Sequence, residues 1–243
     1  MAKTHLASEI LLFHKAIKKL LIHNNTKRVW KLDTQGEYWV MDLQSKSLKK
    51  TGKGLPESSQ RFAKLSPDAT KIAYVSEFNL YVMDLASGQI TQLTKDGNRK
   101  LINGTFDWAY KEEFACRDDF QWSPDSQKIS FWQIDANQIR DYYMMNSTDS
   151  LYSQVIPVEY PKVGESPSPA RIGVIDLASQ KTTWLKIPGD PQQHYLPRME
   201  WNNPDLILVQ QLSRKQNHSK IYAVNVPANE AKVISEEIED TWI

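Results

Sequence analysis

The sequence repeats a two-part unit of short strands, and this repetition limits the folds that the chain can adopt. The first part is a Ser-Pro-Asp turn, then a lysine and a run of β-branched or aromatic residues, at 66–75 and 123–132. The second part is a strand that ends in Asp-Leu and is followed by small residues, at 81–88 and 172–179. Short alternating runs bounded by Ser, Gly, Asp or Asn are typical of β-hairpins. The repeat therefore predicts an all-β fold.

The spacing of the repeats predicts the architecture. Asp42 and Asp84 lie 42 positions apart, and Asp176 and Asn225 lie 49 positions apart. The four-stranded blades of β-propellers repeat at about 40–50 residues. The interval from Asp84 to Asp176 is 92 positions, so this blade is expected to carry a long insertion. We therefore expect a partial β-propeller of about four four-stranded blades with one long insertion.

Composition and charge exclude several kinds of partner and site. The 243 residues include 30 basic and 29 acidic side chains, so no nucleic-acid partner is indicated. No run of about 18 apolar residues occurs, so we expect no membrane segment. Cys116 is the only cysteine, and the five histidines lack a metal-binding spacing. We therefore expect no internal disulfide, no metal site and no cofactor.

The segment 107–114, Asp-Trp-Ala-Tyr-Lys-Glu-Glu-Phe, interrupts the repeat with two adjacent carboxylates among aromatic rings. Adjacent side chains share neither a helix face nor a strand face, so the backbone is expected to turn irregularly if both carboxylates meet one ligand. A cation between neighbouring carboxylates removes the cost of ionising both. Each shielded, charge-assisted hydrogen bond to an ammonium contributes about 1.5–3 kcal/mol. The segment therefore predicts recognition of a positively charged group, such as the amino terminus of a peptide.

The candidate residues follow from this segment and from one basic cluster. The substrate-binding candidates are Glu112, Glu113 and Lys31, and the supporting candidates are Asp107, Trp108 and Tyr110. The alternative for the Glu-Glu pair is a solvated acidic surface, and the alternative for Lys31 is a solvated basic edge. No Gly-x-Ser-x-Gly nucleophile motif occurs, so no catalytic residue is assigned and the chain is expected to bind without reacting.

Six segments together carry a family resemblance: 25–30, 65–68, 103–114, 121–125, 160–165 and 196–201. On these residues, the chain resembles the N-terminal β-propeller of the dipeptidyl peptidase IV family, the prolyl-oligopeptidase-like serine exopeptidases, in their bacterial form. The resemblance covers residues 16–243, and the Asp-Trp-x-Tyr-x-Glu-Glu element at 107–113 is specific to this group.

The resemblance implies a fold, an activity and a role for three residues. The fold is an eight-bladed propeller followed by a hydrolase domain with a Ser-Asp-His triad. Glu112 and Glu113 match the pair that grips the free amino group of the substrate, so that dipeptides with Pro or Ala in second position are released. Lys31 matches a family arginine that contacts the substrate carbonyl. Because lysine lacks the planar fork of arginine, that contact is expected to be weaker.

The resemblance also implies that the chain is one part of a longer protein. Residues 1–15 match poorly, and no hydrolase domain is expected in the chain. We expect a fragment that is inactive alone and whose partners are a peptide with a free amino terminus and the missing hydrolase domain. Unpaired edge strands of an unclosed ring favour homo-oligomers. Intact bacterial relatives are expected to be periplasmic or secreted. A non-enzymatic propeller that serves as a protein-binding scaffold is the alternative, because propellers host unrelated functions.

Overall fold

The computed structural model describes residues 10–13, 18–29, 32–117 and 120–243. These residues form nineteen strands and one short helix. The chain divides into two compact units, Met1–Asp96 and Gly97–Ile243. Within each unit, every strand pair is antiparallel, and most neighbours in a sheet are also neighbours in the sequence.

The N-terminal unit contains the first two four-stranded groups. Its strands are β1 (Ile10–Phe13), β2 (Lys19–Val29), β3 (Leu32–Asp42), β4 (Leu48–Lys50), β5 (Gln60–Leu65), β6 (Lys71–Ser76), β7 (Asn79–Asp84) and β8 (Ile90–Gln92). Strands β1 to β4 pair in sequence order, as do β5 to β8, and a short ladder at Gln35–Arg61 joins β3 to β5. The core between them includes Val40, Ile72 and Tyr74. Burial of such side chains stabilises the unit by about 1.5–3 kcal/mol for each large aliphatic group.

The C-terminal unit contains two further groups of strands, a hairpin and the helix. Its elements are β9 (Leu101–Asn103), α1 (Trp108–Glu113), β10 (Phe120–Trp122), β11 (Lys128–Asp135), β12 (Asp141–Asn146), β13 (Gln154–Glu159), β14 (Ala170–Asp176), β15 (Thr182–Trp184), β16 (His194–Asn203), β17 (Leu206–Ser213), β18 (His218–Asn225) and β19 (Glu230–Ile238). One sheet has the order β10-β11-β14-β15, with β9 on the far end of β11, and another has the order β16-β17-β18-β19. Strands β12 and β13 pair only with each other.

The Asp-Leu turns of the repeat share one hydrogen-bond pattern. The Oδ1 atom of Asp42 accepts bonds from the backbone N–H and the hydroxyl of Ser45, at 2.8 and 3.0 Å. Asp84 does the same with Ser87, at 2.8 Å each. These bonds to the ionised carboxylate lower the pKa of both aspartates. Asp and Ser at these positions offer the backbone a turn in place of a continued ladder, which explains why each strand ends there.

The predicted all-β fold, a partial β-propeller with four-stranded blades, is confirmed. The predicted insertion proves to be two separate excursions from one sheet. The first carries α1 and lies between β9 and β10, and the second is the β12–β13 hairpin between β11 and β14. In the described part of the chain, no helix has the length and apolar character needed to cross a membrane.

Candidate functional site

Helix α1 begins at a buried aspartate. The Oδ1 atom of Asp107 accepts a hydrogen bond from the backbone N–H of Tyr110 at 3.1 Å, which satisfies one of the free N–H groups of the first turn. Its Oδ2 atom accepts a bond from the Ser168 hydroxyl at 2.6 Å. Burial raises the pKa of the Asp107 carboxyl, and these two hydrogen bonds oppose the rise. The start of the helix is therefore fixed to the segment that leads into β14.

A bulge in β16 fixes the middle of the helix. The pairing of β16 with β17 shifts between Tyr195 and Arg198, so Leu196 lies outside the ladder. The Leu196 N–H instead donates to the Tyr110 hydroxyl at 3.1 Å, and its carbonyl accepts from Trp132 Nε1 at 2.8 Å. Two aromatic side chains thus satisfy both backbone groups that the bulge leaves unpaired. Burial strongly raises the pKa of Tyr110, which keeps its hydroxyl neutral.

The end of the helix is held by the same bulge. After the last helical residue, Ala115 has a left-handed backbone with φ of 51°. The Cys116 N–H donates to the Tyr110 carbonyl at 3.1 Å, and the Cys116 thiol donates to the Pro197 carbonyl at 3.3 Å. Arg198 donates to the Phe114 carbonyl at 3.0 Å. Contacts to β16 therefore stabilise a helix that is too short to be stable alone.

Aromatic rings flank the helix on two sides. Trp108, at its first position, packs against Tyr160 of the hairpin base with ring centroids 4.4 Å apart. Phe114, at its end, packs against Tyr195 with centroids 4.7 Å apart. Tyr160 also contacts Tyr142 at 5.9 Å, so the hairpin that follows β11 contributes a wall beside α1. The two excursions from the sheet therefore meet at this helix.

The carboxylates of Glu112 and Glu113 lie on the last turn of α1. Glu112 is half-buried and shares a helix face with Trp108, four residues earlier, whereas Glu113 is exposed. The expectation of an irregular backbone at this pair was wrong, because both residues continue a regular helical turn. Their side chains point about 100° apart around the axis, so each carboxylate would approach a shared ligand from its own direction.

The electrostatic setting of the pair is mixed, because Lys111 lies in the same last turn and the Arg198 guanidinium donates to the Phe114 carbonyl. Both carboxylates lie at the carbonyl end of the helix, where the helix dipole disfavours negative charge. Burial raises the pKa of Tyr195, the neighbouring Arg214 opposes the rise, and the charges of Asp107 and Glu113 add to it. The Glu113 carboxylate is therefore close enough to Tyr195 to affect its pKa, on the side of the helix where Phe114 packs. Among the described residues, no ion pair involves Glu113.

The structure brings five of the six sequence-predicted residues together, namely Asp107, Trp108, Tyr110, Glu112 and Glu113, in and beside one helix. Lys31 lies outside the described residues. Sequence reasoning missed the residues that fix the helix from a distance. They are Ser168, Tyr160, Tyr195 and Arg198. Tyr160 and Arg198 belong to segments that carried the family resemblance, but no local pattern distinguishes their contacts.

The acidic and imidazole side chains do not form a metal site in the described part of the chain. Over residues 10–13, 18–29, 32–117 and 120–243, no group of three or more His, Cys, Asp or Glu side chains is arranged to hold a metal ion. Helix α1 itself offers two carboxylates beside aromatic rings, a chemistry that suits an organic cation.

Comparison with known proteins places the chain in a family. The sequence model of the family described as "Dipeptidyl peptidase IV (DPP IV) N-terminal region" matches residues 14–243. This match spans nearly the whole chain, so the chain belongs to the N-terminal region of the dipeptidyl peptidase IV family.

Relatives and solved structures agree with this assignment. Dipeptidyl aminopeptidase B of Saccharomyces cerevisiae is 28% identical over 229 residues, which cover 91% of this chain and 27% of that protein. Probable dipeptidyl-aminopeptidase B of Aspergillus clavatus is 23% identical over 245 residues, which cover 93% of this chain and 27% of that protein. The crystal structure of Porphyromonas gingivalis dipeptidyl peptidase 4 superposes with a TM-score of 0.90 at 24% identity, over 97% of this chain and 33% of that one. The chain thus spans 27% of the length of these two curated relatives, and the superposition establishes the fold.

Proposed function

We propose that this chain is the substrate-recognition region of a serine exopeptidase that releases N-terminal dipeptides. In this proposal Glu112 and Glu113 bind the free ammonium group of the peptide. The single observation that carries it is the placement of both carboxylates on a helix whose start and middle are fixed by buried hydrogen bonds and whose end is held by a hydrogen bond from Arg198. A rigid contact to the amino terminus fixes the positions of the residues that follow it in a bound peptide.

The physical case for an ammonium ligand rests on where the two negative charges lie. Two adjacent carboxylates at the carbonyl end of a helix repel one another and the helix dipole. A cation bound between the two carboxylates lowers this repulsion, and the amino terminus of a peptide is such a cation at neutral pH. The Trp108–Tyr160 and Phe114–Tyr195 pairs flank the helix on two sides, so aromatic rings lie beside the two carboxylates.

The proposal assigns recognition to these residues and assigns the bond cleavage to none of them. The names of the relatives, dipeptidyl aminopeptidases and a dipeptidyl peptidase, support a peptide substrate with a free amino terminus. A Pro or Ala residue at the second position of the substrate is proposed from the same kinship. A contact of Lys31 with the substrate carbonyl is likewise proposed from this kinship.

The experiment compares a dipeptide with its acetylated form. Glycyl-proline and N-acetyl-glycyl-proline are titrated calorimetrically into the 243-residue chain and into variants Glu112→Gln and Glu113→Gln. Each glutamine keeps the shape of the side chain and removes its charge. Loss of one charge-assisted bond of about 1.5–3 kcal/mol weakens binding of the free dipeptide by about tenfold or more. Glu200→Gln, an exposed acidic position on β16, is the matched control and is expected to leave the affinity unchanged.

The outcomes separate the proposal from its alternative. Preference for the free dipeptide that disappears in both glutamate variants supports amino-terminus binding. Equal affinity for the free and acetylated dipeptides, or equal effects of Glu113→Gln and Glu200→Gln, contradicts it and favours a non-enzymatic propeller that serves as a protein-binding scaffold.

A further inference from the structure

A second concave site lies in the C-terminal unit, between the sheet of β11 and β14 and the start of β16. It is a cavity of about 430 Å³. Pockets that bind small molecules usually measure about 300–1,000 Å³. Its wall combines apolar side chains, including Leu185, Ile187 and Leu196, with two side chains of opposite charge, Arg171 and Asp135. None of the residues assigned to peptide recognition lines it.

Arg171 is held rigidly in this wall. Its guanidinium carbon lies 3.7 Å from the ring centroid of Trp184, and its Nε donates to Gln133 Oε1 at 2.8 Å. The buried Gln133 amide in turn donates to Asn103 Oδ1 at 2.7 Å. Within the described part of the chain, no carboxylate pairs with Arg171, so its two terminal amino groups retain their capacity for a bidentate bond.

Asp135 lies on the same face of the sheet. It follows Gln133 by two residues on β11, and Gln133 is the direct cross-strand partner of Arg171. Asp135 and Arg171 are therefore diagonal neighbours, a relation that places residues about 7–8 Å apart. The Asp135 Oδ1 accepts bonds from the backbone and side-chain amide of Asn137, at 3.0 and 2.7 Å, and no ion pair joins Asp135 to Arg171. The cavity thus presents two separate, opposite charges.

The remaining polar wall adds no charge at neutral pH. Burial lowers the pKa of His194, and the Gln211 amide lies 3.2 Å from its Nδ1 atom, so the imidazole is neutral. A ligand with only a carboxylate would meet the repulsion of Asp135, and a ligand with only an ammonium would meet that of Arg171. Only a molecule with both groups is attracted by both side chains.

We propose that this cavity binds a small apolar zwitterion, with its carboxylate on Arg171, its ammonium on Asp135 and its side chain against Leu185, Ile187 and Leu196. A free amino acid and a dipeptide share this chemistry, and the size of the cavity admits either. The site is distinct from Glu112 and Glu113, and its occupation does not depend on the function proposed for them.

The test is a ligand panel followed by calorimetry on the 243-residue chain. Leucine carries both charges, N-acetyl-leucine only the carboxylate and leucinamide only the ammonium. The chain used carries Glu112→Gln and Glu113→Gln, so that ammonium binding at α1 does not contribute. Leucine is expected to saturate with a millimolar or tighter Kd, and both analogues are expected to bind at least tenfold more weakly. Alanyl-leucine is tested in parallel. Its affinity compared with that of leucine shows whether the cavity prefers a dipeptide or a free amino acid.

Variants then assign the two charges. Arg171→Gln and Asp135→Asn are each expected to weaken leucine binding at least tenfold, whereas the exposed controls Lys232→Gln and Glu200→Gln leave it unchanged. The ligand panel needs no cavity variant, so it decides the proposal even if one of them fails to fold. The proposal is overturned if neither leucine nor alanyl-leucine saturates the chain at concentrations 50-fold above about 1 mM. It is also overturned if leucine and N-acetyl-leucine bind with equal affinity.

Discussion

Tyr110→Phe tests whether the hydrogen bond between helix α1 and the bulge in β16 stabilises the protein. The change removes the hydroxyl that accepts the Leu196 N–H at 3.1 Å and leaves the ring packed against Phe106, 5.4 Å away and nearly parallel. Because Leu196 lies in the bulge, no strand partner replaces the lost acceptor. Tyr110 and Leu196 are 1% exposed, so water does not reach the orphaned N–H readily.

The magnitude follows from that burial. A buried donor left without a partner costs about 1–3 kcal/mol. We therefore expect Tyr110→Phe to lower the free energy of unfolding by about 2 kcal/mol, a large share of the roughly 5–15 kcal/mol of a typical domain. In a protein of this size such a loss lowers the Tm by about 4–8 °C.

Urea denaturation followed by circular dichroism measures this loss. Tyr143→Phe is the matched control, because the Tyr143 side chain is 68% exposed and its change is expected to stay within about 0.5 kcal/mol. If the two tyrosine variants have the same free energy of unfolding, the hydrogen bond between Leu196 and Tyr110 does not stabilise the protein. In that case the bulge in β16 does not fix helix α1.

Two further predictions concern the ends of the helix. Burial raises the pKa of Asp107 in the folded state above its value in the unfolded state. Between these two pKa values the folded protein binds more protons than the unfolded protein. The contribution of Asp107 to stability therefore falls as pH rises from about 4 through the folded-state pKa. Asp107→Asn keeps an acceptor for the Tyr110 N–H and is expected to flatten this part of the curve of unfolding free energy against pH, measured from pH 4 to 8, whereas an unchanged curve would show that Asp107 does not cause it. Ala115→Gly relieves a left-handed backbone at φ of 51° and is expected to stabilise the chain by about 0.5 kcal/mol in urea titrations, whereas Ala178→Gly, in a turn without positive φ, is expected to destabilise it by about 0.5–1 kcal/mol. Destabilisation by both glycines would contradict the strain assigned to Ala115.

The fold was predictable because its signals are local. Each Asp-Leu turn closes through bonds between residues three positions apart, as at Asp42–Ser45 and Asp84–Ser87. The strands themselves are short runs rich in β-branched and aromatic residues. Each such signal lies within one short window of the sequence, so counting the turns was enough to predict four-stranded blades.

The sequence indicated the residues of the candidate site but not their geometry. The sequence indicated the acidic pair and its aromatic neighbours, yet it also indicated an irregular backbone where a helix of six residues forms. A helix of this length has little stability of its own and depends on tertiary contacts. Those contacts join residues far apart in the sequence: 86 positions separate Tyr110 from Leu196, and 61 separate Asp107 from Ser168. No window around the Glu-Glu pair contains them.

If Glu112 and Glu113 bind a protonated amino terminus, the affinity for glycyl-proline depends on pH in a defined way, which calorimetry from pH 6 to 9.5 measures. An α-amino group has a pKa of about 7.7–8.0, so we expect an affinity that is constant below that range and falls about tenfold for each pH unit above it. The Glu112→Gln, Glu113→Gln double variant is expected to bind weakly at every pH, without this fall. An affinity in the unaltered chain that stays level from pH 6 to 9.5 would contradict the claim.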